Sequence, residues 1–152
     1  MKYEFGAAIR RAAIVSIRGP FPASVHDITV FRGGKPDQGI ESWDKDSLYF
    51  KMEKVLGKGV KGVGDSGYGG EPNKIITTNE FHSDSMKEFL ARVKNRGESV
   101  FARLKAFNIL NNRFRHGSST ENKLELHGVC VRAIAVMVQY DYENERPPFQ
   151  VY

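Results

Sequence analysis

Two short runs rich in apolar positions, residues 3–9 and 12–17, flank the pair Arg10-Arg11. Their pattern predicts two strands joined as a hairpin, with Gly19-Pro20 ending the second. Ser24-Val-His-Asp27 has the form of a capping box ahead of Ile28 and Phe31. It predicts a short helix broken by Gly33-Gly34 and Pro36. Leu48, Met52, Val55 and Leu56 recur at helical spacing and predict a helix over 47–56. Residues 57–70 contain seven glycines. Within them Val60, Val63 and the positions up to Asp65 read as a short strand, and Ile75-Ile76 as another. Ser85-x-x-Glu88 is a second capping box. The helix it opens carries one apolar seam of Phe89, Val93, Val100, Leu104 and Phe107, with Gly97 in the gap. Ser118-x-x-Glu121 opens a last helix. That helix is apolar on nearly all sides from 129 to 138, a pattern that predicts burial. The tail from Glu143 through Pro147-Pro148 to Tyr152 reads as an ordered or semi-ordered extension. No internal repeat is present.

At 152 residues the chain is expected to form one domain over 1–152. A chain of this size buries roughly 68–70% of its unfolded surface, enough for a real core. Its 40% apolar and 27% charged residues are ordinary for a globular protein and too apolar for a disordered one. The single cysteine, Cys130, excludes an intramolecular disulfide framework and a cysteine-based zinc site. No N-terminal stretch resembles a signal peptide. The longest apolar run, 129–138, is about half of the ~20 residues that span a bilayer. No Asn-x-Ser/Thr acceptor occurs. These features argue against a secreted or membrane-embedded protein.

The net charge of +5 is unevenly placed. Residues 92–116 hold seven bases, Arg92, Lys94, Arg96, Arg103, Lys105, Arg113 and Arg115, and one acid, Glu98. That span sums to +6 and the rest of the chain to −1. Such a cluster serves either as a solvated helix face or as a polyanion contact that neutralises phosphates.

Candidate chemistry is narrowed mostly by exclusion. Gly57/Gly59/Gly62 and Gly62/Gly64/Gly67 both match G-x-G-x-x-G. A helix is expected before the first match and none opens at the second, so the geometry that places pyrophosphate on a helix N-terminus is missing. No Lys-Ser/Thr follows the glycines, which excludes a P-loop. His26, His82, His116 and His127 are scattered, with no i, i+4 zinc pair. No Gly-x-Ser-x-Gly elbow is present. Three acids remain. Asp65 ends a strand beside small residues, where a carboxylate can reach a cation and a phosphate, but Asp-Ser-Gly is also a turn signal. Glu98 is the lone acid among bases, with Lys94 at i−4 as an ordinary ion-pair partner. Asp27 serves equally well as a capping-box residue.

Taken together, three blocks resemble Harbinger-type DDE transposases and their domesticated relatives. Residues 24–32, Ser-Val-His-Asp-Ile-Thr-Val-Phe-Arg, resemble the family's S-x-H-D-x-x-x-F-R block. Gly64-Asp-Ser-Gly-Tyr68 is similar to its D-x-G-Y block, whose Asp is the second catalytic acid. Residues 95–105, Asn-Arg-Gly-Glu-Ser-Val-Phe-Ala-Arg-Leu-Lys, resemble its R-x-x-E-x-x-F-x-x-L-K helix, whose Glu is the third. The blocks occur in the family's order, and with Lys2-Tyr-Glu, Ile14–Pro20 and Tyr142–Pro148, which are also similar to the family, the resemblance covers nearly the whole chain.

The resemblance implies an α/β fold, an RNase H-like mixed sheet flanked by helices. It implies a metal-dependent DNA endonuclease or transposase-derived hydrolase of the DDE superfamily, located in the nucleus. Asp65 and Glu98 would be catalytic and would ligate divalent metal, Mg²⁺ or Mn²⁺, with His26 and Asp27 as accessory residues. Two such ions activate a water or a 3′-hydroxyl and stabilise the leaving oxygen of a phosphodiester, chemistry suited to hard carboxylate ligands. Arg92, Lys94, Arg96, Arg103, Lys105, Arg113 and Arg115 would hold the DNA backbone. The chain departs from the pattern at the family's first catalytic Asp, which lies on a strand upstream of the block matching Lys2-Tyr3. The expectation is therefore a truncated catalytic domain without the first, central strand, with weak or no cleavage. The alternative is a non-catalytic DNA- or partner-binding module of the same descent. Open strand edges would favour a homo-oligomer or a partner protein.

Overall fold

The computed structural model describes residues 1–34, 46–77, 82–144 and 146–147. The expected break at Pro36 and the tail from 148 to Tyr152 lie outside the described residues. The chain divides into two compact units. One comprises Met1–Phe21 with Asn95–Tyr152, the other Pro22–Lys94.

In the first unit, β1 (Lys2–Ala7) pairs antiparallel with β2 (Ile14–Phe21). The hairpin is as expected, but its connection is longer than the Arg10-Arg11 pair. Ala8 N–H donates to the Ala13 carbonyl at 2.9 Å and closes a wider loop. Nor does Gly19-Pro20 end the strand, since β2 runs on to Phe21. Gly19 sits at φ +125°, and a Cβ there would stand 2.8 Å from the Lys2 carbonyl oxygen, so only glycine lets the two strands stay this close.

Helix α3 (Asp84–Lys105) begins one residue before the expected cap. A short turn of helix, α4 (Asn108–Asn111), follows it. Helix α5 (Thr120–Glu143) is capped by Ser119, whose hydroxyl accepts from Asn122 N–H at 3.1 Å. Val100 and Leu104 of α3 form the unit's core with Ile134, Ala135, Val138 and Tyr142 of α5, and Phe5, Ile14 and Ile17 of the hairpin pack against it. Only one face of α5 takes part. Val129, Val136, Met137 and Tyr140 are exposed, which corrects the expectation of a helix buried all round.

Polar side chains of α5 and α3 satisfy the hairpin. Gln139 accepts from Ile14 N–H at 2.9 Å and donates to the Ala12 carbonyl at 3.1 Å. Arg96, 4% exposed, donates to the Arg11 carbonyl at 2.7 Å. Tyr3 O–H lies 2.6 Å from His127 Nδ1, and Phe114 meets the His127 ring edge-on.

In the second unit, α1 (Asp27–Arg32) ends at Gly33, whose φ of 86° is the left-handed cap expected of glycine. Its start differs from the expected capping box: His26 is the cap residue and makes no side-chain cap hydrogen bond. Helix α2 (Leu48–Leu56) follows, then β3 (Gly62–Gly64), a 3₁₀ turn (Ser66–Tyr68) and β4 (Ile75–Thr77), which pairs parallel with β3.

The RNase H-like mixed sheet implied by the resemblance is not formed. The described strands make two separate two-stranded sheets, β1–β2 and β3–β4. The reason lies partly in β3 itself. It is Gly-Val-Gly, so Val63 is its only side chain. A three-residue strand with glycine at both ends has little surface to pack and weakly supports further pairing.

Candidate functional site

Two of the recognised blocks meet in the second unit. Asp65 follows β3 directly and caps the 3₁₀ turn, its Oδ1 accepting from Gly67 N–H at 2.9 Å. This is the local turn that Asp-Ser-Gly favours. Asp27 is the first residue of α1. A Cβ built on Gly67 would lie 2.7 Å from Asp27 Oδ2 and 3.1 Å from Asp65 Oδ1. Both carboxylates therefore approach Gly67, the glycine of the 3₁₀ turn.

Helix α1 is held in that position by contacts one turn further along. Phe31 stands four residues after Asp27, on the same helix face. It is 1% exposed and meets the Tyr68 ring edge-on at 6.2 Å between centroids. Arg32 Nε donates to Glu71 Oε1 at 2.6 Å, and its Nη2 to the Gly70 carbonyl at 3.3 Å. Tyr49 of α2 also meets the Phe31 ring edge-on, at 5.9 Å between centroids. Thus Asp27, Phe31 and Arg32 face Asp65–Gly67, Tyr68 and Glu71 respectively. Sequence reasoning treated Asp27 as accessory and did not single out Glu71. The i, i+4 spacing of Asp27 and Phe31 on one helix face is the signal for Asp27, whereas Glu71 is found only through its tertiary contact with Arg32.

Glu98 is exposed on α3 and belongs to the first unit, so neither unit by itself contains both Asp65 and Glu98. Within the second unit the carboxylate beside Asp65 is that of Asp27. Asp65 is exposed and Asp27 half-buried. Carboxylate oxygens are the hard donors that Mg²⁺ and Mn²⁺ prefer. An ion bound here would take its oxygens from Asp27, Asp65 and water. Among the described residues no group of three or more His, Cys, Asp or Glu is placed to hold a metal. His26 is exposed next to Asp27.

The seven bases are not equivalent. Lys105, Arg113 and Arg115 are exposed in the first unit, as are Arg92 and Lys94 in the second. Arg92 is 3.5 Å from Glu88, one turn back. Arg103 is half-buried: it donates to the Arg146 carbonyl and lies over the Tyr142 ring at 4.9 Å. Arg96 is buried against the hairpin, where it serves the Arg11 carbonyl rather than an outside phosphate.

No family model, curated protein or solved structure matches this chain. No helix among the described residues is long and apolar enough to cross a membrane.

Proposed function

We propose that the chain is a Harbinger-type, transposase-derived domain that engages DNA phosphodiesters with the help of a divalent metal. The observation that carries this reading is the convergence of Asp27 and Asp65 on Gly67. Asp27 and Asp65 would hold Mg²⁺ or Mn²⁺, and the ion would supply charge to offset an attacked phosphate and activate a water. Asp65 Oδ1 accepts from Gly67 N–H, and the Phe31–Tyr68 and Arg32–Glu71 contacts hold the helix that bears Asp27 against the same turn. Exposed bases of the 92–116 span would bind the DNA backbone. With two carboxylates alone, metal affinity and cleavage are expected to be weak. A nuclear location follows from the same descent.

A second reading in which DNA is bound without cleavage is favoured by the lack of a three-ligand cluster among the described residues. One pair of measurements separates the two. The melting temperature is recorded with and without Mn²⁺ for wild type, Asp65→Asn and Asp27→Asn, and plasmid nicking is followed under the same conditions. Metal at about ten times its Kd adds roughly 1.4 kcal/mol, a shift of a few degrees for a chain of this size. The first reading expects that shift in wild type and its loss in both variants. Nicking should follow the same pattern. An equal response in all three proteins removes the metal site and leaves the binding module.

A further inference from the structure

The uncovered face of α5 is as apolar as the buried one. Leu126, Val129, Val136, Met137 and Tyr140 are 38%, 51%, 69%, 47% and 65% exposed, and Ala133 at their centre is exposed too. At 3.6 residues per turn they form one stripe along the helix, about 21 Å long. Phe107 and Asp141 extend it sideways, lining a shallow hollow with Val136, Met137 and Tyr140. A contiguous apolar surface of this kind on a water-exposed helix marks an interaction site.

We infer that this stripe pairs antiparallel with the same stripe of a second copy of the chain, about a two-fold axis at Ala133. The sequence of the stripe is symmetric about that residue. Leu126 and Tyr140 are equally far from Ala133 on either side, and so are Val129 and Met137, and Cys130 and Val136. In an antiparallel pair centred there, Leu126 meets Tyr140, Val129 meets Met137, Cys130 meets Val136, and Ala133 meets itself. Each apolar side chain finds an apolar partner, as an isologous interface requires. At the axis the two Ala133 methyl groups meet directly, so the helices sit near the upper end of the ordinary 8–10 Å spacing.

The flanking charges agree with this register on one side. Lys123 and Asp141 lie on the same flank of the stripe, so each copy's Lys123 comes beside the other's Asp141, twice per pair. On the opposite flank Glu125 and Glu143 approach one another, although Glu143 is already engaged by Gln139 at 2.7 Å. That mixture makes the pair weak and reversible. Nucleic acid is a poor occupant, because the stripe itself contains no Lys or Arg.

The test uses the whole chain in analytical ultracentrifugation from roughly 1 to 300 µM, the range suited to a small interface. A dimer is expected to dominate at the upper end. Val136→Glu and Val129→Glu, both at exposed positions, should raise its dissociation constant at least tenfold while leaving the melting temperature of the monomer, read at about 1 µM, unchanged. Cys130→Ala/Ala133→Cys should form a disulfide-linked dimer readily, since the two Cα atoms on the axis come within disulfide range. Cys130→Ala/Val129→Cys should do so far more slowly. A wild type that stays monomeric throughout overturns the inference, as does a dimer untouched by Val136→Glu. Equal crosslinking of the two cysteine variants overturns the antiparallel register. A monomer in which Cys130→Ala/Val136→Cys resists maleimide labelling would show that the chain covers this face itself, and would equally overturn it.

Discussion

A methyl group on residue 67 would stand 2.7 Å from Asp27 Oδ2 and 3.1 Å from Asp65 Oδ1, closer than carbon and oxygen tolerate. Gly67→Ala must therefore push one carboxylate away. The atoms that must yield are the ends of side chains, and Gly67 and Asp65 are exposed, so the shift costs about 0.5 kcal/mol or less. We predict no larger change in urea unfolding, but loss of any metal-induced rise in melting temperature. A full metal response in Gly67→Ala would separate the two carboxylates from metal binding. A second residue-scale effect concerns the Tyr3–His127 pair. Burial, helped by the positive chain N-terminus, holds His127 below its ordinary 6.5, against an opposing backbone hydrogen bond at Ile109. The neutral ring then accepts the Tyr3 hydroxyl at Nδ1. Because the folded value is lowered, this contribution is complete above pH 6.5 and is lost as pH falls from there through the lowered value. Urea unfolding at pH 7.5, 6.5 and 5.5 should show the decline, and His127→Phe should flatten it. Tyr3 is pushed up from 10.0 to about 12, chiefly by burial, opposed by Arg132. Its contribution is complete below pH 10 and is lost between there and about 12. A Tyr3→Phe variant should lack that alkaline loss.

At the scale of elements, α1 matters because it positions Asp27 through contacts made by its other end. Phe31 is almost fully buried against Tyr49 and Tyr68. Phe31→Ala is predicted to cost about 3–5 kcal/mol, the usual price for removing a buried phenyl ring. The Arg32–Glu71 pair is partly exposed, at 29% and 20%, so solvent screens it. A double-mutant cycle with Arg32→Ala and Glu71→Ala should give a coupling of about 1 kcal/mol or less, and no coupling at all would show that this pair does not hold the helix. The elements themselves were largely legible: the hairpin, the helix at 48–56, the strand before Asp65 and the two long helices all follow apolar period or a cap. Helix α5 was misread because apolar residues on two opposite faces give the same composition whether one face is buried or both.

For the whole molecule, the question is how much of the basic span is available to DNA. Arg96 is not, since it is buried, and Arg103 is half committed to Tyr142 and Arg146. The five exposed bases that remain, Arg92, Lys94, Lys105, Arg113 and Arg115, would neutralise up to about five phosphates. The slope of log K against log salt is then expected near −4 to −5. Replacing Arg113 and Arg115 with Ala should make it less negative by about 2, whereas Arg96→Ala should act through stability instead. Salt-independent binding would contradict a backbone contact. A charge count along the chain could not separate these arginines, because it carries no information on which guanidinium finds a carbonyl inside the protein.

The sequence alone determined what depends on near neighbours. Apolar period set the helices, Asp-Ser-Gly set the turn that caps at Asp65, and Gly33 set the end of α1, because each rests on torsions and hydrogen bonds within a few residues. Tertiary structure decided which distant residues meet. It split the strands into two sheets, turned Arg96 inward, and set Asp27 as well as Asp65 against Gly67. It also left one face of α5 open. Those outcomes depend on side-chain shape and on buried polar groups seeking partners, and both are settled only when segments far apart in the chain compete for the same space.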